Sequence, residues 1–141
     1  MSQPTPEVWG DLEVWDFILV SADGDPAGFV RFQLTDAPAD ACGYSWYLAR
    51  PVLIETEVLP LKSWYEKHYL HAAYEIHGAL LRIQLNAPIC DNDVILGGEL
   101  SSDGARGQIT GSSAFSPNKT LIAYFDAKLA TVRLPRIDTT E

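Results

Sequence analysis

Positive charge is what this chain has least of: 10 basic residues stand against 19 acidic ones, for a formal net charge of −9. A face able to neutralise phosphates needs clustered Lys and Arg, so nucleic acid is excluded as an expected partner. Long apolar runs are also missing. None approaches the roughly 20 residues a spanning helix requires, so no membrane insertion is expected. The opening residues carry no basic region followed by an apolar stretch and a small-residue cleavage site. The expectation is a chain without a signal peptide and a cytoplasmic location. With only Cys42 and Cys90 present and no export signal, free thiols are expected rather than a bridge.

Reactive constellations are equally scarce. All three histidines, His68, His71 and His77, fall within ten positions, but no acidic residue completes a ligand set, so no metal is expected. Asp23-Gly-Asp25 and Asp91-Asn-Asp93 lack the later glutamate of a calcium loop and read as turns. Gly97-Gly98 and Gly104 to Gly107 lie in a hairpin pattern, not at a strand-to-helix turn, so they form no phosphate cradle. Ser112, Ser113 and Ser116 have no elbow motif and no assignable base. No cofactor and no catalytic residue is assigned.

What the chain does have is alternation. Leu81, Ile83 and Leu85 share one parity and Arg82, Gln84 and Asn86 the other. Val30, Phe32 and Leu34 repeat the pattern, as do Ala123, Phe125 and Ala127. This is the period-two signature of strands with one buried face. Ser21 to Pro26 and Asp103-Gly104 supply turns between such runs. Strands are expected at Leu12–Val20, Gly28–Leu34 and Tyr44–Ile54, with Pro51 marking an edge or a bulge and Asp36–Gly43 a loop. Ser63 and Glu66 fit a capping box and Gly78 a C-terminal cap, which predicts one helix over 64–77. The competing reading is a strand through Ala72, Tyr74 and Ile76.

The expected fold is therefore mainly β: one domain spanning 1–141, with 1–7 and 138–141 frayed, built as an antiparallel up-and-down barrel of about seven to eight strands. Its calycin-like plan is similar to that of small ligand-binding barrels such as the lipocalins, although none of their motifs is present. The alternative is an α+β curved sheet wrapped on the helix.

Two charges sit in otherwise apolar rows. Asp16 shares a parity with Leu12, Val14, Ile18 and Val20, and Arg50 with Tyr44, Trp46, Leu48 and Val52. If those rows face inward, Asp16 and Arg50 need partners, either each other or the polar end of a ligand. Trp15, Trp46, Tyr44 and Phe125 would supply a flat apolar wall. The candidate ligand-binding residues are thus Trp46, Arg50, Asp16, Tyr44, Trp15 and Phe125. They imply a small apolar molecule held in the lumen or mouth, with binding alone or a cofactor-free cyclisation or isomerisation as the outcome. Residues 1–40 carry eight acids against Arg31 alone. This supports a second expectation, an acidic module that docks on a basic protein.

Overall fold

The computed structural model describes residues 14–67, 70–89, 92–102, 104–113 and 120–130. The expected fraying at 1–7 and 138–141, the strand start at Leu12, and readings that involve His68, Cys90, Asp91, Asp103 and Ser116 lie outside them. Eight antiparallel strands close into a barrel in chain order. They are β1 (Val14–Ser21), β2 (Pro26–Ala41), β3 (Tyr44–Thr56), β4 (Ala72–His77), β5 (Leu80–Leu85), β6 (Asn92–Ser101), β7 (Gly104–Ser113) and β8 (Thr120–Leu129), and a helix, α1 (Leu59–Glu66), lies between β3 and β4. Pairing of β1 with β8 completes the ring. Among the described residues, no helix is long and apolar enough to cross a membrane.

Turn chemistry sets the hairpins. Ser21 Oγ accepts from the backbone N–H of Asp23 and Asp25, and Gly24 takes φ +95°. Cys42 and Gly43 both have positive φ between β2 and β3, where Asp40 Oδ1 accepts from the Gly43 N–H. Gly78, at φ +62°, turns β4 into β5.

Three sequence expectations need correction here. The helix runs over Leu59–Glu66, not 64–77, and Ala72–His77 is the competing strand. Gly78 supplies its left-handed conformation to a hairpin and not to a helix end, two roles with the same local demand. Pro60, in the first turn of α1, is the true start signal, and Ser63 and Glu66 lie within the helix. Residues 36–41 continue β2 past a register shift and are not a loop. Cys42 is disulfide-bonded, which overturns the expectation of free thiols. The bulge expected near Pro51 is present: Arg31 opposes Leu53 and Phe32 opposes Pro51, so Val52 is the extra residue.

The barrel is filled. Phe17, Leu19, Val30, Phe32, Leu34, Leu81, Ile83, Leu96 and Ile109 are at most 1% exposed, so no water-sized space adjoins them. An eight-stranded barrel is just wide enough for such filling. Phe17 meets Phe32 edge-on at 5.8 Å and Phe125 at 5.2 Å. Leu61 and Trp64 of α1 join the same core, with Trp64 6.3 Å from Phe32. The helix thereby plugs one end of the barrel. Opposite Phe125, Gly98 and Gly107 face each other across β6 and β7. A Cβ on Gly98 would lie 2.4 Å from the Arg106 carbonyl oxygen and 2.9 Å from Phe125 Cζ. Missing side chains at this pair let the strands coil tightly and give the Phe125 ring its seat.

Candidate functional site

The inward parity of β1 is that of Phe17 and Leu19, so Asp16 belongs to the outer face. There it is directly opposite Arg31, whose Nε and Nη2 donate to its two carboxylate oxygens at 2.6 and 3.0 Å. This bidentate bond raises the Arg31 guanidinium above its ordinary value. Arg50 also belongs to the outer parity. Its Nε donates to Gln33 Oε1 at 2.8 Å, with a second bond from Nη2 to the same oxygen. Asp16 and Arg50 thus have separate partners and do not pair with each other.

The remaining candidates are equally dispersed. Phe125, 3% exposed, and the partly buried Trp15 belong to the main core. Trp46 lies outside the barrel wall, packed with Ala41, Ala73 and Ala87 under the Arg82 guanidinium, 5.5 Å from its ring centroid. Tyr44, beside the β2–β3 turn, is 69% exposed. The six residues do not converge on one pocket.

Two cavities flank α1 instead. The larger, about 880 Å³, is a groove at the barrel mouth between the β1–β2 hairpin, the end of β3 and the helix. Ala27, Ile54, Val58, Leu59 and Ile122 give it an apolar floor and wall, and Tyr65 closes one side. Local backbone demands shape it. Gly28 has φ +91°, and a Cβ there would fall 2.0 Å from the Glu55 carbonyl oxygen, so β2 and β3 approach more closely than any side chain permits. Thr56 Oγ1 donates to the Ala27 carbonyl and accepts from the Val58 N–H at 3.0 Å, which fixes the turn from β3 into α1. The rim is acidic: Asp25, Glu55, Glu57 and Glu66 accompany a single base, Lys62, which pairs with Glu57 at 3.3 Å.

The smaller cavity, about 340 Å³, is a slot in the barrel wall. Pairing of β3 with β4 extends over only Tyr47–Tyr74, Leu48–Ala73 and Ala49–Ala72 before the strands part. Trp64 and Tyr65 of α1 cover the opening, and Arg50, Pro51 and His71 complete its lining.

Of the mouth residues, the sequence pointed only to the β1–β2 turn. Val58 and Leu59 were missed because the helix was begun too late, and Pro60 was the signal that could have found them. Among the described residues, no three His, Cys, Asp or Glu side chains converge as metal ligands. His71 lines the slot, and Asp23 and Asp25 serve the hairpin turn.

By its architecture the chain is a closed eight-stranded antiparallel barrel with a packed core and two cavities beside α1. No family model matches it, and neither a curated protein nor a solved structure shows significant similarity.

Proposed function

We propose that this protein binds a small, mostly apolar molecule in the groove at the barrel mouth. The observation that carries this reading is the groove itself: about 880 Å³ of space with an apolar floor on a filled barrel. Its size lies within the range of ligand pockets, about 300–1,000 Å³. A packed interior supports the mouth rather than the lumen as the place of binding. It also gives the groove a rigid base, which keeps the ordering cost of binding low. The disulfide at Cys42 favours an oxidising compartment over the cytoplasm as the place where the protein works.

Leu59 offers a clean test. It lines the groove, is 68% exposed and stands in the first turn of α1, where an acidic side chain complements the helix dipole. Leu59→Asp should therefore fold normally while placing a charge against the ligand. Titration with the neutral probe N-phenyl-1-naphthylamine should show saturable binding in the native protein and at least about tenfold weaker binding in Leu59→Asp. Equal binding by both proteins would remove the groove from consideration.

A second reading rests on the rim. Four acids against one base form a surface suited to a basic protein. Salt separates the two: apolar binding is nearly insensitive to ionic strength, whereas docking on this rim weakens steeply as salt rises.

A further inference from the structure

The wall slot differs in chemistry from everything around it. In a chain of net charge −9, its lining contains no carboxylate. Instead it holds Arg50 and His71 beside Trp64, Tyr65, Leu48 and Pro51. Four ion pairs form among the described residues, at Arg31, Lys62, Arg82 and Arg106, and Arg50 belongs to none of them. Among the described residues, its half-buried guanidinium is bonded only to the neutral side-chain amide oxygen of Gln33, a residue 4% exposed.

Such a cation is held in place but not neutralised. Gln33 accepts from Nε and Nη2 and so fixes the plane of the guanidinium, leaving Nη1 and the second Nη2 hydrogen as donors for another acceptor. His71 Nε2 donates to the Asp40 carbonyl at 2.8 Å, which orients the imidazole and leaves Nδ1 as its second polar atom. The Trp64 indole N–H is occupied by the Leu70 carbonyl at 2.8 Å, so that ring offers the slot its apolar surface.

We propose that this slot is a binding site for a small organic carboxylate with a ring or branched apolar body, separate from the mouth groove, with which it shares only Tyr65. The carboxylate oxygens accept from Arg50, and the body lies against Trp64, Tyr65 and Pro51. An anion supplies the counter-charge that Arg50 lacks, and charge-assisted Arg–carboxylate bonds are the strong, geometrically selective kind. A cavity of about 340 Å³ limits the ligand to the small end of the usual range.

Isothermal titration of the native protein with benzoate and phenylacetate, beside their neutral primary amides, tests this directly. The carboxylates should saturate and bind at least about tenfold more tightly than the amides. Arg50→Gln should lose that preference, while Arg50→Lys should keep part of it because the charge remains without the fork. Leu59→Asp, at a residue that lines the mouth groove and not the slot, should leave carboxylate binding unchanged, so failure here and failure at the mouth are separable. Absence of saturation up to about 10 mM, equal affinity for acids and amides, or unchanged binding by a folded Arg50→Gln would each overturn the proposal. Should Arg50→Gln fail to fold, the comparison of acid with amide in the native protein still decides it.

Discussion

Replacing Phe125 asks whether the barrel is solid or hollow. Its ring is 3% exposed, packs 5.2 Å from Phe17 and rests over Gly98. Truncation to Ala removes a buried aromatic side chain and leaves a void that flanking strands cannot collapse into, since the barrel is closed. Such changes cost about 3–5 kcal/mol, a large share of the roughly 5–15 kcal/mol that holds a domain together. At about 4 °C per kcal/mol for a chain of this size, the melting temperature should fall by about 12–20 °C. Urea unfolding followed by circular dichroism gives the free energy, and an unchanged m-value verifies that the two folded states are comparable. Gly98→Ala sharpens the test. Its Cβ would meet backbone atoms of Arg106 at 2.4 and 2.7 Å as well as the Phe125 ring at 2.9 Å. Removing the ring relieves the last of these but not the backbone contacts, so the double variant should fall short of the sum of the singles by about 0.5–3 kcal/mol, the coupling found between residues in contact. A Phe125→Ala cost below about 1 kcal/mol would refute the reasoning, because it would mean that the ring already faces empty space.

Asp16→Asn should cost about 1 kcal/mol, measured by urea unfolding, since it weakens one partly exposed ion pair. Because the Arg31 guanidinium is raised above its ordinary value, its contribution is complete below that value and is lost only as pH climbs through the raised one. The difference between Asp16→Asn and the native protein should therefore stay constant from about pH 7 to 10; a slope there would contradict the pairing. A thiol titration of the denatured, unreduced protein should detect no free thiol, and reduction should lower stability by about 2–4 kcal/mol. Detection of two thiols would refute the bridge at Cys42.

Much of the barrel was legible because strands with one buried face declare themselves by alternation. The rows Val30–Phe32–Leu34, Leu81–Ile83–Leu85 and Ala123–Phe125–Ala127 all belong to the core as their parity implied. The β1–β2 hairpin was legible through Ser21 and Gly24, and the β3 bulge through Pro51. Gly98 and Gly107 bring β6 and β7 together beneath Phe125, a role that only the packed structure reveals. The helix was misplaced because a left-handed glycine serves a helix end and a hairpin equally well.

The candidate site was hardly legible at all. Period two tells which residues share a face but not which face is inside, and β1 is apolar on both. Nothing local told Asp16 that it would stand outside, opposite Arg31, or that Arg50 would be bound by Gln33, 17 residues away. The mouth groove and the wall slot belong to no single segment either. Each exists only where α1 settles against strands that come from distant parts of the chain, so its walls are set by closure and packing. By itself the sequence determined an acidic, mainly β chain with turns at set places, because propensity, alternation and charge are local properties. Only the tertiary structure decided which face became the core, where space was left over and which charges stand without a counter-charge, because each depends on neighbours that the chain meets only when the barrel closes.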